Sequence, residues 1–235
     1  SLMHNVILMN GRGLAYSPSN GGARLRRLES RPDYVYAAAE LTPVYRNHQI
    51  PSPRRDRDNP VVAHVEREFL FLRPLETMVV LDRLESNSSV MPAANVVKTF
   101  LAHFEQMPVI EDARNVLAVN GDQALRLTTL APAAPSHRIV NEGGTVGQYR
   151  LEMETSGSAQ SYFLNVMQAR DAAGQNLQAA VSETASSFTV TLSLAGRGYC
   201  RIVFEKGMVS AGGGVSCSPA AMPAGVEPFL SRVQG

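Results

Sequence analysis

The sequence predicts an all-β protein, a large antiparallel sandwich of two sheets with about a dozen strands, and three observations carry that expectation. The apolar segments are short and rich in β-branched and aromatic residues. Gly, Pro, Asn and Asp punctuate them at regular intervals. Helical periodicity competes in one place only, Ala93 to Phe104, where Val97, Phe100, Leu101 and Phe104 share a helical spacing. The β-branched residues and the central Thr99 favour a strand there too.

Residues 61–104 organise the chain through three apolar runs. Val65 to Leu72 stops at Arg73-Pro74, Met78 to Leu84 runs into a turn over Asp82 to Asn87, and Val96 to Phe104 follows a Pro/Ala loop. Neighbouring strands of this kind bury one face and need a second layer to cover it.

The remaining elements follow in order. Asn5 to Met9 is a short strand before the Asn10-Gly11-Arg12-Gly13 turn, and residues 17–22 are a loop. Arg24 to Glu29 and Tyr34 to Leu41 are strands split by Ser30-Arg31-Pro32-Asp33, and residues 42–60 are an irregular surface excursion. Asn115 to Asn120 and Ala124 to Leu130 flank Gly121-Asp122 as a hairpin. Arg138 to Val140, Tyr149 to Glu154, Tyr162 to Ala169, Phe188 to Leu194 and Cys200 to Phe204 are further strands, with Ala179 to Ser182 a weaker one. Residues 207–225, rich in Gly, Ala, Ser and Pro, read as a weak edge strand and tail.

The totals exclude several classes. At 235 residues the chain is long enough for a sizeable core, and a net charge of +1 gives no overall field toward nucleic acid or an anionic membrane. No apolar run approaches spanning length, and no signal peptide opens the chain. Ser1-Leu2-Met3 reads as a short vector remnant before a native Met3, or as a cut inside a longer chain. Cys200 and Cys217 stand in no CxxC spacing; two free thiols are the simpler reading, and a bridge becomes credible in an exported protein.

Site candidates are sparse. Arg54, Arg55 and Arg57 could fork onto carboxylate or sulfate groups, although Asp56 and Asp58 interleave with them and favour a self-neutralised loop. Glu66, Arg67 and Glu68 alternate as cross-strand ion pairs do, and Asp82-Arg83 reads as a structural turn. His103 lies on an apolar strand and suits a core or rim position; His48, His64 and His137 are dispersed and suit the surface. Gly11-Arg12-Gly13 lacks the helix and the Lys-Ser/Thr of a phosphate loop, and no Ser-His-Asp or Cys-His set emerges, so no catalytic residue is assigned.

Five blocks, in order over residues 4–132, resemble the C-terminal β-sandwich of the heparinase II/III-like polysaccharide lyases. They are His4 to Gly11 (HNVILMNG), Asp33 to Tyr45 (DYVYAAAELTPVY), Val65 to Ser86 (VEREFLFLRPLETMVVLDRLES), Lys98 to His103 (KTFLAH) and Leu125 to Pro132 (LRLTTLAP). Val6 and Asn10 depart from the Thr and Asp usual in the first block.

The resemblance implies a sandwich over residues 4–206, followed by an edge strand and tail over 207–235. It implies a bacterial, periplasmic or secreted parent enzyme that acts by β-elimination on an acidic, uronate-containing glycan such as a glycosaminoglycan or alginate. The partner so implied is an N-terminal α/α-toroid, in the same parent or as a separate chain, and a homo-oligomer through the exposed face is also allowed. The family's catalytic Asn, His and Tyr lie in the toroid or in an upstream HxHxD segment, so this chain alone is expected to be inactive. No cofactor is certain; a structural zinc in the full-length parent would take His4 as one ligand. The alternative is a non-catalytic carbohydrate-binding or cell-surface module with a Tyr- or Arg-lined groove, and a third reading is a purely structural scaffold.

Overall fold

The structure, a computed structural model, describes residues 4–14, 22–46, 58–143, 148–210 and 212–219. These residues form sixteen strands, numbered in chain order, and every pairing between them is antiparallel.

The central sheet has eight strands. From one edge to the other they are β2 (Arg24–Ser30), β3 (Tyr34–Glu40), β4 (Val62–Leu72), β5 (Thr77–Ser86), β12 (Gln160–Asp171), β9 (Gln123–Ala131), β8 (Asn115–Asn120) and β7 (Val109–Ile110). The long strands β4, β5 and β12 lie side by side in its middle, paired Phe69↔Val80 and Val80↔Asn165. Near-continuous burial along β5 explains why its sequence is a β-branched run rather than a clean apolar/polar alternation.

A four-stranded sheet packs on each face of this sheet, over its middle strands. One cover is the four-stranded sheet β1 (Ile7–Met9), β6 (Lys98–Phe104), β11 (Tyr149–Thr155) and β10 (Ser136–Asn141). The other is β13 (Gln178–Glu183), β14 (Ser187–Leu194), β15 (Gly198–Glu205) and β16 (Gly213–Ser218). The all-β antiparallel sandwich expected from the sequence is therefore observed, but with three sheets in place of two and sixteen strands in place of about a dozen, because the central sheet is buried on both sides and carries a core on each. Val79 and Leu81 meet Phe188, Val190 and Ile202 in one core, and Leu84 and Phe163 meet Phe100, Leu151 and Met153 in the other.

Several local expectations change. Asp82 to Ser86 is the second half of β5 and not a turn, because the buried charges find partners on β4 and not in solvent. The contest at 93–104 resolves into a 3-10 turn at Ala93–Asn95 and then strand β6. A single helical turn, α1 (Thr42–Tyr45), interrupts the 42–60 excursion, and its Tyr45 is buried with its hydroxyl donating to the Ile7 carbonyl at 2.7 Å. Cys200 and Cys217 are opposite one another on β15 and β16 and form a disulfide, not two free thiols.

Candidate functional site

The charges that the sequence brings to β4 and β5 are sorted by strand parity. Odd residues of β4 and even residues of β5 face the β6 layer, where Arg67 forks onto Asp82 with Nε–Oδ1 2.6 Å and Nη2–Oδ2 3.1 Å. A third Arg67 bond reaches the Asn5 carbonyl at 2.6 Å, tying β4 to the residues before β1. Even residues of β4 and odd residues of β5 face the other layer, where Arg83 Nε donates to Glu68 Oε1 at 2.5 Å.

That second group is roofed by the connection between β15 and β16. Arg83 Nη1 donates to the carbonyls of Glu205 and Gly207, each at 2.7 Å, and the Ser210 amide donates to Glu66 Oε1 at 2.6 Å. The Tyr36 hydroxyl donates to Glu68 Oε2 at 2.6 Å. Burial pushes the Glu68 carboxyl above its ordinary range, against the opposing pull of Arg83 and Tyr36. Glu66 and Arg83 are completely buried, so neither can reach a substrate, and the cluster joins two layers. The expected cross-strand ion pairs are thus present, and Asp82-Arg83 serves them.

A cleft opens where this interface meets solvent, between β2–β3 and the β15–β16 edge. It is narrow, about 30 Å³ in volume, with Leu70, Ile202 and Phe204 as floor and Tyr34 and Tyr36 as one wall. Gly212 to Gly214 make the opposite wall as nearly bare backbone. Gly213 is required there: its φ is +155°, and a Cβ would stand 2.3 Å from the Val203 carbonyl oxygen. At the rim, the Arg27 guanidinium lies over the Tyr36 ring at 5.4 Å and pairs with Glu29, which accepts from the Tyr34 hydroxyl at 3.1 Å. The hydrogen bond from Arg27 holds the Glu29 carboxyl below its ordinary range, so it stays ionised.

On the opposite face of the same strands, one pairing row runs Leu28, Ala37, Phe69, Val80. Leu25, Leu28 and Phe69 are 62%, 65% and 41% exposed, an apolar strip that neither four-stranded sheet covers. The patch lies on β2 to β4 and not around the first strand, where Ile7 to Met9 are buried.

The other candidates divide. Arg54, Arg55, Arg57 and His48 lie outside the described residues. His4 is exposed, and among the described residues no group of three or more His, Cys, Asp or Glu could hold a metal ion. A complete zinc site therefore does not fit these residues alone. His103 is half-buried with Nδ1 2.9 Å from Asn5 Oδ1, the rim position expected. His64 and His137 are half-buried too, not on the open surface. His64 lies on β4 with Nε2 3.8 Å from Glu66 Oε2, and desolvation lowers the His137 pKa.

No family model matches the sequence, and no curated protein matches it either. Solved structures do match the fold. A mutant of the heparan sulfate lyase HepC from Pedobacter heparinus aligns at TM-score 0.59 and 12% identity over 93% of this chain and 30% of that one. A heparinase III gene product aligns at 0.58 and 10% over 86% and 30%. Another heparinase III aligns at 0.53 and 12% over 86% and 29%. At such identities the likeness is one of fold, and the chain spans about 30% of the length of these enzymes. The sandwich described above has the fold found in that portion of the heparinase III structures.

Proposed function

We propose that this chain is the sandwich part of a polysaccharide lyase that acts by β-elimination on uronate-containing glycans, completing a cleft whose proton-transfer groups come from an α/α-toroid domain. The observation that carries this reading is the alignment of 86–93% of the chain with heparinase III structures. The uncovered strip at Leu25, Leu28 and Phe69 supports it, because an apolar sheet face of this kind fits a neighbouring domain. In the reaction, a base takes the C5 proton of the uronate while an acid protonates the leaving oxygen, and both groups must stand in an open site. Glu66, Glu68 and Asp82 are sealed inside the sheets and cannot reach a substrate, which supports supply of that chemistry from the toroid. The disulfide accords with an exported, periplasmic or secreted parent.

The test is to incubate the purified chain with heparan sulfate, chondroitin sulfate, hyaluronan and alginate. No ultraviolet-absorbing unsaturated product is expected from the chain alone, and product is expected once a toroid domain is joined to it. Product from the chain alone would overturn this division of labour. A second reading, a carbohydrate-binding module that needs no catalytic partner, is favoured by one observation, the Tyr- and Arg-lined cleft beside β2. It requires glycan binding that survives conversion of Leu28 and Phe69 to serine in every context.

A further inference from the structure

Strand β2 ends the central sheet, and along its length nearly every side chain is exposed. Five arginines stand on it or beside it, Arg24, Arg26, Arg27, Arg31 and Arg73, against the carboxylates Glu29, Asp33 and Glu40. The whole chain carries only +1, so positive charge is concentrated on this edge. Glu40 is shared between Arg24 and Arg26, and Glu29 between Arg27 and Arg31. Each guanidinium presents five N–H donors, so two shared carboxylates leave most of them to solvent. Arg24 and Arg31 remain 66% and 64% exposed at the side chain.

Geometry narrows the ligand. From Arg24 to Arg31 an extended chain covers about 23 Å at ~3.3 Å per residue. A row of cations that long suits a repeating polyanion better than one small anion. The row is also mixed: ionised Glu29 and the Tyr34 hydroxyl sit at the mouth of the cleft, where they can exchange hydrogen bonds with hydroxyl groups. Alternating carboxylate-or-sulfate and hydroxyl groups are the chemistry of an acidic polysaccharide, whereas the backbone of DNA offers anions but no hydroxyl for Glu29 and Tyr34 to bind.

We infer that the β2 edge is a docking strip for an acidic glycan, in which Arg24, Arg26 and Arg31 fork onto its carboxylate or sulfate groups and a sugar hydroxyl meets Glu29 and Tyr34 at the cleft mouth. Bidentate guanidinium–anion contacts give the strip both affinity and orientation. The inference rests on the acidic-glycan part of the reading above, and assigns it a place on this chain.

The experiment measures binding of heparan sulfate and alginate oligosaccharides to the wild-type chain and to the R24A/R26A/R31A variant by calorimetry across a salt series. Melting curves confirm that the variant is folded, and Tyr34→Phe probes the cleft mouth without removing the ring. The expected result is salt-sensitive binding by the wild type, weakened about tenfold or more in the triple variant and to a smaller extent in Tyr34→Phe. Unchanged binding in the folded triple variant would overturn the site while leaving the lyase reading standing. Absence of binding by the wild type, or equal binding of a DNA oligonucleotide matched in charge, would overturn it as well. Failure of the lyase reading is seen separately, as product released by the chain alone.

Discussion

Arg67 and Asp82 face each other across β4 and β5 as a two-pronged pair, 2.6 and 3.1 Å long, inside a core otherwise made of Phe100, Leu84 and Val65. Removing one member strands the other in a low-dielectric site, whereas removing both leaves no orphan. Asp82→Ala is expected to cost about 3–5 kcal/mol. The double variant Arg67→Met/Asp82→Leu is expected to cost less than either single change. Urea unfolding of the four proteins gives the cycle, and additive single effects would show that the pair has no coupling of its own.

The disulfide fastens β16, an edge strand with little apolar burial, to β15. Closing a loop with a sequence separation of 17 is worth about 3 kcal/mol through the unfolded chain. C200S/C217S is therefore expected to lower stability by about 2–4 kcal/mol, read by thermal melting. Because Ser210 and Gly207 hang from the same connection, amide exchange over 206–217 should rise before the rest of the molecule opens.

Lys98 is completely buried, with Nζ donating to the carbonyls of Ser158 and Ala159 at 2.7 and 2.8 Å and to Ser161 Oγ at 2.9 Å. Burial pulls its pKa down to about 8. The unfolded chain holds this proton up to about pH 10.4, so between those values it is the unfolded state that binds more protons. The contribution of Lys98 to stability should therefore rise with pH across that window and be flat below pH 8, where both states hold the proton. The melting difference between wild type and Lys98→Met isolates this from other titrations; a difference flat from pH 7 to 10 would contradict it.

Leu28 and Phe69 share the uncovered row, while Leu81 is sealed in the opposite core. Leu28→Ser should change the stability of the isolated chain by no more than about 0.5 kcal/mol, Phe69→Ser, which removes a partly buried ring packed on Arg67, should cost about 1 kcal/mol, and Leu81→Ala about 2–5 kcal/mol. Chemical denaturation measures both. A large loss at Phe69 would show that the strip is covered in solution.

Strand positions were legible because the local signals agree with the tertiary ones. The hairpin expected at 115–120 and 124–130 is β8 and β9 within one residue, since Gly121 takes the positive φ that the turn needs. Val109–Ile110 escaped notice because two exposed residues carry no periodicity. Asp82 and Arg83 were misread because composition shows a charge but not the partner fifteen residues earlier on the next strand. The disulfide was illegible for the same reason, as pairing of Cys200 with Cys217 depends on the register of β16. For the site, the sequence places Arg24, Arg26 and Arg27 on one strand, but the union of Arg27 with Tyr34, Tyr36 and Gly212 to Gly214 is made by two sheets meeting, which no local window contains.

The shared middle sheet carries a penalty against misalignment that a one-sided sheet lacks. If β5 slid by a single position along β4, Arg83 would turn toward the layer that holds Phe100 and Asp82 toward the layer that holds Phe188, while Arg67 and Glu68 stayed where they are. Four interior charges would lose their mates in one step, and both oily interiors would be breached together. Insertions or deletions of one residue within 65–72 or 77–84 should accordingly be intolerable, while the turn between those strands is free to vary in length.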